Sequence, residues 1–221
     1  MTIWDILIRH REEWLHGLIT TLKLCLWIWS IGLIAGTLLG AAGSKWNDAV
    51  GKPSKVASFI LGGMPILVFL FWLHYPLQAY FRVVVDPFIT AVAALAIVNT
   101  LLVADAVRGV LKDFPRQYLA AAKVCGLDGR ETFLRIQLPI IFRQVIPGLL
   151  TLQVTMLHAT LFASLISVDE IFRIAQRINS QVYKPVEIYS ALAVLFLAVC
   201  LPLHGLAHWL RVRYTRDFSE S

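Results

Sequence analysis

The sequence predicts an all-α membrane protein with about five transmembrane helices, which form a single domain over residues 1–221. Composition is the first evidence for this class. Hydrophobic residues make up 58% of the chain, and its mean hydropathy is +0.70. Charged residues make up only 15%, against ~25% in soluble domains. Long apolar stretches also recur five times, which indicates a bundle of spans and no second domain.

The first predicted element is a short amphipathic helix over residues 3–14, where apolar residues one turn apart stand among charged ones, as in helices at a membrane interface. The spans are predicted over residues 17–42, 56–77, 87–111, 140–165 and 187–212. Gly32, Gly36 and Gly40 recur at four-residue spacing on one face of the first span. Small residues at this spacing predict close contact with another helix.

The second and third spans contain a helix breaker and an ion pair. Pro65 ends the run Gly-Gly-Met-Pro in the second span, and its missing N–H is expected to kink or unwind the helix there. Broken backbone inside a membrane is tolerated where it lines a cavity. In the third span, Arg108 follows Asp105 by one turn, so the two side chains are expected to pair.

The loop between the third and fourth spans predicts two short helices joined at a glycine. Pro115 is expected at the first position of the first helix, and Gly126 is expected just past its end. Asp128 is expected to cap the second helix, in a capping box with Glu131. Pro139 is expected to end that helix, because the residue before a proline avoids the α conformation.

A second amphipathic helix is predicted after the fourth span. Ser167 and Glu170 have the spacing of a capping box. Apolar residues then recur at helical spacing, opposite Arg173 and Arg177; they are Ile171, Ile174, Ala175 and Ile178. The pattern predicts a short helix over residues 168–179 that lies on a surface.

Lysine and arginine are distributed unevenly between the two sides of the predicted bundle. Thirteen lie in residues 43–55, residues 108–143 and the C-terminal tail, whereas six lie in the segments on the other side. Cytoplasmic loops of membrane proteins carry such an excess. We therefore expect the long loop and the C terminus in the cytoplasm and the N terminus outside.

Motifs for catalysis or cofactor binding are not found in the sequence. A P-loop needs Gly-x4-Gly-Lys-Ser/Thr, and the nearest stretch, Gly51-Lys52-Pro53, lacks the first glycine and the hydroxyl. His204 and His208 lie one turn apart, as zinc ligands would, but no third ligand accompanies them. We expect no enzyme activity, no metal and no bound cofactor. We attribute the net charge of +6 to the basic residues that membrane proteins accumulate on their cytoplasmic side, and not to nucleic-acid binding.

The cysteines do not form a recognisable pair. Cys25, Cys125 and Cys200 are odd in number and widely spaced, and no two form a CxxC motif. We therefore expect three buried free thiols rather than disulfides or metal ligands.

The long loop resembles the signature of a known family. Membrane subunits of bacterial ABC importers carry Glu-Ala-Ala, three residues, Gly, nine residues, Ile, one residue and Leu-Pro in a cytoplasmic loop. The matching residues here are Ala121, Ala122, Gly126, Ile136, Leu138 and Pro139. Ala120 stands where the family has Glu. Five spans with an outside N terminus are similar to the branch that takes up polar amino acids.

This resemblance implies the type I importer permease fold and a set of partners in a bacterial inner membrane. Residues 113–139 would dock onto a dimer of cytoplasmic ABC ATPase subunits, which bind the ATP-Mg. The expected docking residues are Ala120, Ala121, Ala122, Lys123, Gly126, Leu127, Asp128 and Arg130. A second, non-identical permease subunit and an extracytoplasmic solute-binding protein would complete the complex.

The resemblance also implies a solute path. The family often carries Arg-Gly-Thr-Pro in its second span and Lys-Asp-Thr/Ser in its fourth, but Gly62 and Ala159 stand here at the Arg and Asp positions. The candidate path residues are Gly63, Met64, Pro65, Asn99, His158 and Thr160. Since these groups are neutral when His158 is unprotonated, either the solute is less charged than a free amino acid or the second permease supplies the charges. His158 is equally compatible with a hydrogen-bonded core residue.

The stretch Ser167–Ser180 resembles the family's external segment, which implies contacts with the binding protein at Glu170, Arg173 and Arg177. An alternative function is a secondary carrier or channel that works without an ATPase. Such a protein would place ionisable residues deep in several spans, whereas nearly all such residues here lie near span ends.

Overall fold

The computed structural model describes residues 3–215, which form helices and connecting turns without a β-strand in that range. The α-helices are α1 (Ile3–Arg9), α2 (Arg11–Lys45), α3 (Lys52–Gly62), α4 (Ile66–His74), α5 (Pro76–Phe81), α6 (Pro87–Lys112), α7 (Arg116–Val124), α8 (Gly129–Thr132), α9 (Leu138–Ala159), α10 (Ile171–Val182) and α11 (Pro185–Thr215). Two π-helical turns, Asn47–Gly51 and Phe133–Gln137, and a 3₁₀ segment, Thr160–Ile166, connect some of them.

The helices long and apolar enough to cross a membrane confirm the predicted class. Within the described range they are Arg11–Lys45, Pro87–Lys112, Gly129–Ile166 and Pro185–Tyr214. A fifth span results if Asn47–Gly62 and Ile66–Phe81, which meet at a bend of 97°, count as one broken span. The bend lies at Pro65, where the sequence predicts a kink. The N-terminal helix is shorter than expected, because residues 11–14 belong to α2.

The contact between α2 and α6 confirms the prediction from the glycine spacing. A Cβ on Gly36 would lie 2.6 Å from the Cβ of Val103, and a Cβ on Gly40 would lie 2.7 Å from the carbonyl oxygen of Ala104. A Cβ on Gly32 would overlap the amide of Asn99. The two backbones can approach this closely only because these positions have no side chain.

Among the described residues, the two largest of three hydrophobic clusters join most of the helices. The larger lies where α2, α4, α6 and α9 meet, around Leu24, Leu70, Leu95 and Met156. The smaller joins α1, α10 and the start of α11, around Ile6, Ile174 and Ile188. The buried residues of α10 include all four apolar residues named in its sequence pattern, which confirms that pattern.

The contacts divide the loops between two ends of the bundle. At one end Arg108, near the end of α6, donates to the carbonyl of Gly51 at 3.2 Å and to the hydroxyl of Ser54 at 2.5 Å, and it pairs with Asp105 as predicted. This end also carries α7, α8 and the end of α11. At the opposite end, the backbone N–H of Ile171 in α10 donates to the Thr21 hydroxyl at 3.2 Å.

Candidate functional site

The turn after α7 is fixed by the backbone rather than by packing. Gly126 has a positive φ of 73°, a conformation that side chains with a Cβ rarely adopt. Its N–H donates to the Lys123 carbonyl at 3.1 Å, and the Leu127 N–H donates to the Ala122 carbonyl at 3.1 Å. This pair of bonds is a Schellman motif, which confirms Gly126 as the residue that follows the helix. Pro115 precedes the helix instead of occupying its first position.

Of the two hydrogen bonds expected in the capping box of α8, the one accepted by the Asp128 side chain is confirmed. The carboxylate of Asp128 accepts from the Glu131 N–H at 2.6 Å, and the Thr132 hydroxyl donates to the Asp128 carbonyl at 2.7 Å. The carboxylate of Glu131, however, lies 3.4 Å from the guanidinium of Arg135. The Glu131 carboxylate therefore pairs with Arg135 one turn along the helix, instead of accepting a hydrogen bond from the backbone N–H of Asp128 as a capping box requires.

The prediction that Pro139 ends this helix is wrong. The chain continues from α8 through a π-helical turn into α9, with the Leu138 N–H donating to the Phe133 carbonyl. A proline inside an α-helix removes one hydrogen bond and clashes with the preceding turn. The wider π turn just before Pro139 lets the helix continue past it. The second half of the loop is therefore rigidly joined to the membrane span.

The loop exposes apolar and charged side chains next to each other. Val124 is 88% exposed, and Ala120, Ala121, Lys123, Gly126, Asp128 and Arg130 are exposed beside it or on the following turn. Ala122 is buried. Cys125 is exposed, which corrects the expectation of three buried thiols; Cys25 and Cys200 are buried as expected. We call residues 113–139 the coupling loop from here on.

The break between α3 and α4 leaves backbone on the outside of the chain. Gly62, Gly63 and Pro65 are exposed, and a Cβ on Gly62 would meet no atom within 4 Å. Met64 points inward and packs against the larger hydrophobic cluster. Pro65 precedes α4 with φ −56° and ψ 134°, and no side chain caps the helix that follows.

Two of the candidate path residues lie inside the chain. Asn99 is fully buried, and its amide donates to the Ile28 carbonyl at 3.1 Å and to the Gln153 side-chain oxygen at 3.0 Å. Thr160 is also fully buried and donates to the Leu157 carbonyl at 2.7 Å. Neither side chain reaches a surface in this conformation. Their assignment to the solute path stays a prediction, and their hydrogen bonds give each of them a structural role.

His158 belongs to a polar stripe that the sequence analysis missed. Exposed polar or small residues follow one face of α9 at alternating steps of four and three; they are Gln144, Gly148, Thr151, Thr155 and His158. The Nε2 atom of His158 lies 3.3 Å from the sulfur of Cys200. Thr151 and Thr155 donate to backbone carbonyls four residues earlier. The spacing of these residues was the signal that could have revealed the stripe from the sequence.

The start of α10 differs from the expected capping box. Glu170 itself is the N-cap and accepts from the N–H groups of Phe172 at 2.9 Å and Arg173 at 2.8 Å. Ser167 instead has φ 74° and ends the preceding 3₁₀ segment. Glu170 is fully buried, and this burial raises its pKa to about 7 despite the two bonds it accepts. A buried carboxylate cannot contact a partner in this conformation, so its predicted binding-protein contact has no support in the packing.

The two arginines of α10 share one carboxylate. Asp169 accepts from Arg177 at 2.6 Å and from Arg173 at 3.1 Å. The bond from Arg177 holds the pKa of Asp169 below its usual range. Arg173 also donates to the Ser164 carbonyl at 2.8 Å. Both arginines remain partly exposed, so this surface is positively charged and held in a fixed geometry.

Comparisons with known proteins agree with this architecture. The sequence profile of the family described as binding-protein-dependent transport system inner membrane component matches residues 31–216. The octopine transport system permease protein OccM of Rhizobium radiobacter is 29% identical, over 83% of this chain and 78% of its own. The glutamine transport system permease protein GlnP of Escherichia coli is 28% identical, over 84% and 87%. The crystal structure of an amino acid ABC transporter with histidines superposes with a TM-score of 0.81 at 23% identity, over 94% and 96%.

Proposed function

Because the chain belongs to the family of binding-protein-dependent transport system inner membrane components, we propose that it is the permease subunit of an ATP-driven importer for an amino acid or an amino-acid-like solute. The observation that carries this proposal is the coupling loop. It is exposed, and it is fixed at its first turn by backbone hydrogen bonds and at its second by the carboxylate of Asp128, which accepts from the Glu131 N–H. Relatives named for octopine and glutamine transport support the solute class.

The coupling loop is proposed to dock onto a dimer of ATPase subunits in the cytoplasm, where ATP-Mg binds to the ATPase. The excess of lysine and arginine on this side of the bundle supports that orientation. It places the C terminus in the cytoplasm and the N terminus, with α10, outside. Because α8 continues into α9 without a break, movement of the docked loop would be transmitted directly to a membrane span.

The solute path is proposed to run between the exposed break at Gly63 and Pro65 and the polar stripe of α9. Polar side chains and irregular backbone in a membrane need water or protein beside them rather than lipid. Both features lie on the surface of this chain, so a second permease subunit would close the path from the other side. The exposed side chains of the path lack fixed charge, which favours a non-identical partner that supplies it.

The positive surface of α10 is proposed to receive the solute-binding protein. Arg173 and Arg177 are held by Asp169 and present partly exposed guanidinium groups. Charges at the rim of an interface act mainly on the rate of encounter and on its salt dependence. Reversal of both charges should therefore slow uptake most at low ionic strength.

Reconstituted transport tests the proposal. The complex would be purified through the ATPase subunit and incorporated into liposomes with the binding protein and radiolabelled glutamine or arginine. Uptake should require ATP inside the liposomes. Uptake driven by an ion gradient without any ATPase subunit would instead establish the secondary-carrier alternative.

Gly126→Val, with Gly129→Val as its matched control, tests the role of the coupling loop. A Cβ on either glycine has open space around it, but only Gly126 has a positive φ. Valine at residue 126 is strained there, so transport-coupled ATPase activity should fall while membrane insertion persists. Equal activity of the two variants would contradict the docking role.

Thiol labelling tests the orientation without any mutation. Cys125 lies on the coupling loop and is exposed, whereas Cys25 and Cys200 are buried. A membrane-impermeant maleimide should label Cys125 in inverted membrane vesicles but not in intact cells, and bound ATPase should protect it. Labelling in intact cells would place the loop outside.

A further inference from the structure

Two cavities open beside α6 at the end of the bundle that carries the coupling loop. The first has a volume of about 650 Å³ and lies between α6, α9 and α11, where Arg143 and Arg211 line it. The second has a volume of about 420 Å³ and lies between α3 and α6, where Lys55 and Lys112 line it. Each cavity therefore receives basic side chains from two different helices. We call the two cavities together the basic vestibule.

Helix α6 forms a wall that both cavities share. Leu102 and Ala106 line the first cavity, whereas Asp105 and Gly109 line the second. These residues occupy adjoining strips of one helix face, because positions three and four apart are neighbours on a helix. A Cβ on Gly109 would meet no atom within 4 Å. The two cavities therefore adjoin along the exposed face of α6.

The vestibule lies at one end of the proposed solute path. Gln144, Gly148 and Thr151 of the polar stripe line its first cavity. Ser58 lines its second cavity and lies on α3, the helix that ends at the break. The hydroxyl of Ser58 is enclosed and has no hydrogen-bond partner among the described residues. The path thus has neutral polar groups along its length and basic groups at its coupling-loop end.

Positive charge dominates the lining of the vestibule. Among the described residues that line it, Asp105 is the one acid, and this carboxylate already pairs with the buried guanidinium of Arg108. Arg143 and Arg211 have other interactions within the chain. These are compatible with binding a further anion, because a guanidinium has five N–H donors and keeps its charge at physiological pH.

The orientation of the protein in the membrane does not by itself explain this lining. An excess of basic residues is expected at a cytoplasmic end, but such residues can point away from the path. Lys52 pairs with Asp48 on the surface of the same end, and the guanidinium of Arg213 lies 5.1 Å from the ring centre of Trp209. The four basic residues of the vestibule face the two cavities instead.

We propose that the basic vestibule selects for carboxylates, so that the transported solute is an acidic or neutral amino acid rather than a cationic one, with Arg143 and Arg211 as specificity-determining residues. A cleft lined by one sign of charge concentrates ligands of the opposite sign by roughly 10- to 1,000-fold. Guanidinium groups also bind carboxylates through paired hydrogen bonds. The inference rests on the proposed function, because the vestibule becomes part of a closed path only beside a second permease.

Charged thiol reagents measure the potential in the vestibule without any binding protein. Gly148→Cys would be introduced into a Cys125→Ser chain, since the other two cysteines are buried, and the complex would be purified with its ATPase. The reaction rates of an anionic sulfonatoethyl and a cationic trimethylammonioethyl methanethiosulfonate would each be divided by the rate with a free thiol. The anionic reagent should react at least about tenfold faster, and this ratio should fall as ionic strength rises.

Variants of the two arginines assign the potential to its source. Arg143→Gln combined with Arg211→Gln should reduce the ratio of the two rates on the order of tenfold. Lysine at both positions keeps the charge and should keep the ratio, which separates loss of charge from misfolding. The matched control, Arg213→Gln, removes a charge at the same end outside the cavities and should also keep the ratio.

Protection of the introduced cysteine tests the solute class. At equal ionic strength, glutamate should slow its reaction most, glutamine less and lysine least. Equal rates of the two reagents, equal protection by lysine and glutamate, or an equal loss in the Arg213→Gln control would overturn the proposal. Each of these results is compatible with ATP-dependent uptake in liposomes. Failure of the proposed function would instead appear as uptake without an ATPase subunit, so the two failures are distinguishable.

Discussion

Gly40→Ala is predicted to push α2 away from α6. An added Cβ would lie 2.7 Å from the carbonyl oxygen of Ala104 and 3.2 Å from its Cα, whereas ordinary contacts begin at 3.4 Å. Both neighbours are backbone atoms, so a change of rotamer cannot relieve the overlap. The helices would have to separate locally by about 0.7 Å, the difference between the 3.4 and 2.7 Å distances, and overpacking of this kind typically costs about 1–3 kcal/mol.

The measurement is the thermal unfolding of the detergent-purified complex. A loss of about 2 kcal/mol corresponds to a decrease in Tm of roughly 4–8 °C for a chain of this size. Gly109→Ala is the matched control, because it makes the same substitution in α6 where a Cβ meets no atom within 4 Å. The control should be neutral or slightly stabilising, since alanine favours a helix over glycine by about 1 kcal/mol. A wild-type Tm for Gly40→Ala, or an equal decrease in the control, would refute the reasoning.

Three further predictions concern single polar groups. The pKa of Glu170 is raised from 4.5 to about 7, so between these two pH values the folded chain holds a proton that the unfolded chain releases. The free energy of unfolding should therefore fall by about 3 kcal/mol as the pH rises from 4.5 through 7. Glu170→Gln should remove this pH dependence when unfolding is measured at pH 5 and pH 8. Arg108→Gln deprives Asp105, Gly51 and Ser54 of their donor, so the free energy of unfolding measured in denaturant should decrease by about 2–3 kcal/mol. A decrease below about 1 kcal/mol would argue against a buried ion pair. Asp128→Ala should destabilise the α8 cap by about 1 kcal/mol and reduce transport-coupled ATPase activity, whereas Asp128→Asn, which can still cap, should retain most of it.

Features governed by neighbouring residues along the chain were predictable from the sequence. The left-handed conformation of Gly126, the Asp128 cap and the pairing of Arg108 with Asp105 each depend on groups within a few residues of one another. The class of the protein followed from composition, because a bilayer imposes apolar stretches of fixed length. Even the contact of α2 with another helix followed from its glycine spacing, although the sequence did not identify α6 as the partner.

Exposure was decided by the tertiary structure. Asn99 and His158 are both polar residues within spans, yet Asn99 is enclosed by Gln153 and the backbone of α2, and His158 lies on an open face of α9. The sequence pattern predicts that Glu170 belongs to a capping box on a surface helix, but Glu170 is fully buried in the folded chain. Whether a polar side chain is enclosed or presented depends on which faces the other helices cover, and those helices are distant in sequence. Local spacing determines the face on which a residue lies, and only the assembled bundle determines what that face meets.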